Sequence, residues 1–453
     1  MNNSRIGYVF VFISVLPLFL FDEKTEGAGW AIVVLLILLS LFTKSVISST
    51  EKLLSPISML VLFNSLYTIM GITMWLYREI NFKNWEGEFW FVLYVYVAVS
   101  FIVTFLSIHL LDKKKSRLLY IDKQKMKLKG LVFFIPLILE YVGIYLFTAG
   151  FKIIPLLMPD IDEARFDLGQ IDRPGAGLGA LLINFGILCV IHLFYSKKSL
   201  LFKIPLFLVI YIPYILYGGR FLMVMPLLLV AIMAFIQRVK IIKVGLVAKS
   251  VVFLAIAFLV MMFYGTYRQT GNDVETEFVL DFLTADLFPE FRGSIGSYSL
   301  NNKDLSLDYI GVMLTCFLPG SFLGMIGIDK ASQISIGSYV AQLLGFDGNS
   351  GIRTSFTGEL LLTNPMTFVL IWMLLFIIVL RINTLFFKER EWNIRKLLML
   401  YFGLNLGTII PYGISLLSNT IIMIVVVSVF SSFAYKKQLT NSNYKRNYFK
   451  YGH

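Results

Sequence analysis

The chain has 453 residues, 57% of them hydrophobic and only 15% charged, with a mean hydropathy of +0.77. Soluble domains run near one quarter charged, so this composition excludes a soluble enzyme and predicts a polytopic membrane protein. The net charge of +12 argues against a nucleic-acid partner, because Lys and Arg are dispersed over short connections between apolar runs rather than gathered on one polar domain.

The first apolar run, residues 6–21, follows a single Arg5 and leads into Asp22-Glu23-Lys24 without a small-residue cleavage site. It reads as a retained anchor rather than a cleaved signal peptide. A membrane-spanning helix needs about 20 apolar residues. That criterion predicts about 12 transmembrane helices, at residues 6–22, 29–46, 53–77, 89–111, 130–149, 177–195, 200–217, 220–237, 249–265, 362–381, 396–412 and 414–435, in one integral membrane domain over 1–453. With both termini in the cytoplasm, the large majority of the 40 Lys and Arg fall inside, as positive charge requires. The connection with Lys113, Lys114, Lys115, Arg117, Lys123, Lys125 and Lys127 is the strongest cytoplasmic marker.

Two connections are long and predicted to be external, residues 150–176 and 266–361. Long connections inside compact proteins are usually functional or disordered. The second lacks low-complexity bias and is expected to carry short helices. Residues 309–328 within it are uncharged and about long enough to span. A span there would move the basic 381–396 loop and the basic tail outside, against the charge rule. With Pro319-Gly320 at its centre, the segment reads as re-entrant or interfacial.

Candidate chemistry lies on the outer side. Tyr217-Gly218-Gly219-Arg220 is a tight turn joining two spans. A cation opening the following helix faces the positive end of its macrodipole, so Arg220 is misplaced unless an anion joins it. Helix amides freed by Gly218 and Gly219, together with a guanidinium, make a phosphate site. The ordinary alternative, a snorkelling arginine, is countered by its outward location. Arg165 and Arg173 lie in the first long loop, in a mixed acidic and basic cluster that also suits a solvated helix. Arg268 follows its span at the end where the dipole welcomes a cation. Arg353, followed by Gly358-Glu359, precedes the tenth span, and Arg292 and Lys330 are weaker candidates. Glu140 stands mid-span after Pro136, where an ionisable group is costly and is either functional or paired, and it joins Arg173, Gly218, Gly219 and Lys330 as a substrate-binding candidate. Asn184 and Asn405 read as interhelical glue. Cys189 and Cys316 indicate no disulfide framework, and His109, His192 and His453 are too scattered for a metal site, so no metal or cofactor is expected.

Arginines beneath the outer surface of an apolar bundle suit a lipid-linked pyrophosphate, whose chain stays in the bilayer while bidentate guanidiniums neutralise its head without a metal. Gly150-Phe151-Lys152-Ile153-Ile154-Pro155-Leu156 with Asp162-Glu163-Ala164-Arg165-Phe166, followed in order by Gly218-Gly219-Arg220, Tyr267-Arg268 and Gly358-Glu359, resembles the bacterial O-antigen and capsule repeat-unit polymerases of the Wzy type. The resemblance covers roughly residues 130–380 and the span count. It implies a GT-C-like, metal-independent glycosyltransferase in the plasma (inner) membrane. Such an enzyme moves a growing glycan from undecaprenyl pyrophosphate onto an incoming lipid-linked repeat unit at the outer face, with a chain-length regulator as a candidate partner. Carried over by position, Arg165, Arg220, Arg268 and Arg353 hold pyrophosphate. Gly320-Ser321 depart from the family's pattern, which puts Lys330 in doubt. Glu359, at the mouth of a span, is the chosen general base.

An O-antigen ligase uses the same donor, but its external histidine has no counterpart in residues 266–361. A polysaccharide flippase needs charge along a central cavity, whereas mid-span charge here is almost confined to Glu140. A non-catalytic membrane scaffold, for which the outward arginines are incidental, is the remaining alternative.

Overall fold

The computed structural model describes residues 26–46, 49–77, 86–112, 130–154, 176–196, 198–217, 220–238, 290–315, 336–343, 355–389, 392–413, 417 and 420–431. Among them every regular element is a helix. In chain order these are α1 (Glu26–Val46), α2 (Thr50–Leu53), α3 (Pro56–Tyr77), α4 (Glu86–Asp112), α5 (Gly130–Phe147), α6 (Ala176–Ile183), α7 (Gly186–Tyr195) and α8 (Leu200–Tyr217). There follow α9 (Arg220–Arg238), α10 (Glu290–Leu300), α11 (Ser306–Thr315), α12 (Ile336–Leu343), α13 (Ser355–Leu360), α14 (Pro365–Lys388), α15 (Ile394–Tyr412) and α16 (Thr420–Ser431).

Apolar runs of this length become helices because lipid offers no partner to a backbone N–H or C=O, and a helix satisfies each group internally. Among the described residues five segments are long and apolar enough to cross a membrane: Gly27–Val46, Pro56–Thr73, Phe89–Asp112, Leu178–Tyr195 and Pro365–Lys388. The chain is a helical membrane protein. Outward-facing Trp30, Leu41, Phe105, Met373 and Ile377 leave apolar faces on α1, α4 and α14 of the kind lipid covers. The expected spans at 6–22 and 249–265 lie outside the described residues.

The chain divides into two compact units, the first comprising Met1–Lys123, Ile232–Cys316 and Leu323–Leu417, the second Gln124–Ala231, Phe317–Phe322 and Ser418–His453. Lipid tails are as apolar as leucine, so close packing at small residues takes over from the hydrophobic effect as the force joining helices. In the first unit α15 lies along α3: a Cβ at Gly403 would collide with Pro56 and one at Gly407 with Phe63. Both numbers rise together, so the two helices run parallel. Likewise Gly27 packs on Trp90 and Ser45 Oγ donates to Asp112 Oδ1 at 2.6 Å, which makes α1 parallel to α4. Asn64 Nδ2 bonds Ser100 Oγ at 2.8 Å between α3 and α4.

One end of this unit gathers Lys44, Glu51, Lys52, Lys388, Arg395 and Lys396. Glu51 and Lys396 form an ion pair whose side chains are only 4% and 0% exposed. The Lys396 ammonium also donates to the Glu389 carbonyl at 2.9 Å and lies over Phe386 and Trp392, 4.8 and 5.2 Å from the ring centres. The rise of a helix separates this end from Gly413, beyond the far end of α15, by about 26 Å.

In the second unit α5 runs antiparallel to α6 and α7. A Cβ on Gly143 would stand 2.8 Å from the Gly179 carbonyl and one on Gly179 2.7 Å from Phe147 N, so only glycines permit this approach. Residues 177–195, expected as one continuous span, are interrupted by a turn at Asn184 and Phe185, where bonds of the i to i−3 kind tighten the backbone: Asn184 N to Leu181 O at 3.2 Å and Phe185 N to Leu182 O at 3.0 Å. Asn405, expected as interhelical glue, donates to the Tyr401 carbonyl of its own helix at 2.9 Å, because a carbonyl one turn back is always within reach. The span expected at 362–381 is α14, shifted to Pro365–Lys388: Asn364 caps it by accepting from Thr367 N at 2.9 Å, and Pro365 suits its first position.

Candidate functional site

At the end of the first unit opposite the Glu51–Lys396 pair, the short α13 carries Glu359. All six of its residues are buried, Glu359 being 7% exposed. Ser355 opens the helix with φ +53°, an uncommon conformation for a residue with a side chain, and its hydroxyl accepts from Gly358 N at 3.1 Å. The same hydroxyl bonds Tyr96 OH at 2.5 Å, and Tyr96 OH bonds Ser294 Oγ at 2.8 Å. A Cβ at residue 358 would collide with Ser294 Oγ, so Gly358 is what lets α13 settle on α10.

Glu359 is clasped from two further directions. Tyr309, fully buried on α11, donates its hydroxyl to Glu359 Oε2 at 3.3 Å. Gly413 presses its backbone against the carboxylate, and a Cβ there would collide with Oε1. Its φ of +79° with ψ of −170° is a region essentially restricted to glycine. Burial, with the Glu359 charge and hydrogen bond adding to it, pushes the Tyr309 phenol well above its ordinary value. The phenol therefore remains a donor throughout the neutral range. A buried carboxylate oriented by a phenol can take a proton from a substrate hydroxyl or pair with a cation.

Beyond Glu359 the chain turns at Leu361–Asn364 beside the 301–304 segment, and the two border a shallow, open cavity of about 290 Å³. Asp304 organises its rim. Its carboxylate accepts from the Ser306 hydroxyl, from Ser306 N at 2.9 Å, and from Asn364 N and Nδ2 at 3.2 and 3.1 Å. The Ser306 hydroxyl first, then these other donors, hold the Asp304 carboxyl below the usual range. Lys303 pairs with Asp308 at 3.0 Å, and Asn301 accepts from Tyr339 OH at 2.9 Å.

Of the residues selected from the sequence, Glu359 and Glu140 are both buried, the first in this cluster and the second inside the other unit. Arg220 opens α9 as expected, and its side chain lies outside the described residues. So do Arg165, Arg173, Gly218, Gly219, Arg268, Lys330 and Arg353. Sequence reasoning passed over Tyr96, Ser294, Tyr309 and Gly413 as site residues. The only signal pointing to this place was Gly358-Glu359 before a span.

No family model matches the chain, and neither curated proteins nor solved structures include one similar to it.

Proposed function

We propose that the protein is a GT-C-like glycosyltransferase with about 12 spans, polymerising undecaprenyl-pyrophosphate-linked repeat units at the outer face of the plasma (inner) membrane. The observation that carries this reading is Glu359: a carboxylate held by Tyr309 and Gly413 at the end of an apolar bundle. An open polar cavity begins two residues further along the chain, at Leu361. The parallel pairs α3/α15 and α1/α4 and the antiparallel packing of α5 on α6 and α7 agree with the span order used to set the topology. In that topology the lysine-rich end is cytoplasmic and Glu359 faces outward.

The acceptor sugar hydroxyl attacks the anomeric carbon of the donor glycan. A new glycosidic C–O bond forms as the bond to pyrophosphate breaks, and Glu359 takes the hydroxyl proton. The leaving undecaprenyl pyrophosphate keeps the bonding electrons and is neutralised by Arg165, Arg220, Arg268 and Arg353, whose guanidiniums match phosphate oxygens two at a time. Arg173, Gly218, Gly219 and Lys330 support the head group, and the acceptor sugar enters at the 301–304 cavity.

Purified protein incubated with a lipid-linked repeat unit is expected to yield a ladder of products that Glu359→Gln abolishes. Absence of elongation by the wild-type protein across donors of varied sugar rejects the reading. A buried Glu140 with no hydrogen-bond partner among the described residues, beside a turn that interrupts its neighbouring helix, favours a second reading, a lipid-linked glycan flippase, since such features line transport sites. A flippase would carry the repeat unit across a vesicle bilayer without lengthening it.

A further inference from the structure

Glu140, a substrate-binding candidate from the sequence, is not used by the transfer step proposed above, and its setting in the second unit is unusual. The side chain is fully buried, and neither carboxyl oxygen has a hydrogen-bond partner among the described residues. Buried polar groups are nearly always satisfied, so each exception calls for a physical cause. The carboxyl lies against Gly186, the first residue of α7, where a Cβ would collide with Oε1. A missing side chain at the helix break thus makes its room.

Among the described residues no cation pairs with it. Lys203 on α8 directs its ammonium to the carbonyls of Phe194 and Ser196, at 3.1 and 2.9 Å. The neighbours that couple to it electrostatically are Tyr141 on its own helix, which donates to the Val209 carbonyl at 2.8 Å, and Cys189 on α7. His192 lies further along α7, Tyr211 on α8 donates to the Met223 carbonyl at 3.0 Å, and neither α6 nor α16 carries a titratable side chain.

We propose that Glu140 is a proton-binding site whose occupancy is coupled to the packing of α5 against the α6–α7 break. An unpaired carboxylate in apolar surroundings is far costlier than a neutral acid, and a proton is the one ligand that neutralises it without needing added volume. In the closed arrangement the carboxyl is the neutral acid. To ionise it must meet water or a cation, which requires α7 to part from α5. The turn at Asn184 and Phe185 supplies the hinge: Phe185 caps α7 with no side-chain hydrogen bond. Proton release and opening are then linked, so each favours the other. This inference stands independently of whether the protein elongates glycans.

The test uses the full chain in lipid nanodiscs with Cys316→Ser, leaving Cys189, fully buried on α7 beside Glu140, as the one thiol. Labelling by a small membrane-permeant maleimide is followed across pH, with and without Glu140→Gln, which keeps the shape and cannot ionise. Labelling is expected to be slow and equal in both at low pH. As pH rises it should climb severalfold further in the Glu140 protein than in the Gln variant, which shows only the thiol's own titration. Coincident profiles overturn the proposal. Should Glu140→Gln not fold, infrared spectra of the Glu140 protein decide: a protonated-carboxyl band must disappear in step with the rise in labelling, and a band that is absent or constant overturns it.

Discussion

Tyr309 and Glu359, fifty residues apart in the chain, meet at 3.3 Å inside the first unit, the phenol donating to the carboxylate. Removing the donor by Tyr309→Phe leaves a buried carboxylate without that partner, a loss of about 1.5 kcal/mol for a hydrogen bond to a charged group. Product elongation is expected to fall about tenfold while protein abundance holds. Glu359→Gln should abolish elongation altogether. Equal loss in both variants at reduced abundance would reassign Tyr309 to folding alone.

Gly413 tests whether the carboxylate's position matters. Gly413→Ala places a Cβ against Glu359 and forces a side chain into backbone territory that costs on the order of 1–3 kcal/mol. A lower unfolding temperature in detergent and loss of elongation are both expected. Unchanged unfolding would show that the turn after α15 relaxes freely.

The buried pair Glu51–Lys396 predicts an asymmetric mutational response. Removing one partner, by Glu51→Gln or Lys396→Met, strands the other charge and should cost about 3–5 kcal/mol. The double variant should recover most of that stability, because replacing both charges also removes their desolvation cost. Thermal unfolding of the two single variants and the double variant measures the coupling. Additive losses would mean that the ion pair contributes nothing as a pair.

Asp304 makes the rim of the cavity sensitive to acid. Its folded carboxyl lies below the ordinary range, so it contributes stability that is fully present above the unfolded value of about 3.9 and is lost as pH falls through the lower folded value. The protection of Ser306 N and Asn364 N against hydrogen exchange, relative to the intrinsic rate at each pH, should therefore fall below about pH 4, more than that of other amides. Asp304→Asn should show the lower protection already at neutral pH.

Arg220 bears on the pyrophosphate reading. Arg220→Ala is expected to remove long-chain polymer from cells with protein abundance intact. Arg220→Lys, which keeps the charge and loses the fork, should restore only part of it. Normal chain lengths with Ala would take Arg220 out of the site.

The membrane character, the places of α1, α3, α4, α5, α8, α9 and α15, and the basic end marked by Lys44, Lys388 and Lys396 were legible in the sequence. They depend on hydropathy and charge summed over neighbouring residues, and lipid enforces both at every span. Glu359 was legible as a carboxylate before a span, and nothing local marked it as enclosed. The tertiary structure alone decided that Tyr309 and Gly413 hold it, that Tyr96 joins Ser294 to Ser355, and that Glu51 finds Lys396 across 345 positions. It also decided that a turn at Asn184 and Phe185 interrupts the helix just before Gly186, which lies against Glu140. Such relations arise where glycines let two backbones close to contact distance, and which helix lies opposite each glycine is set by packing across the fold rather than by the residues on either side of it.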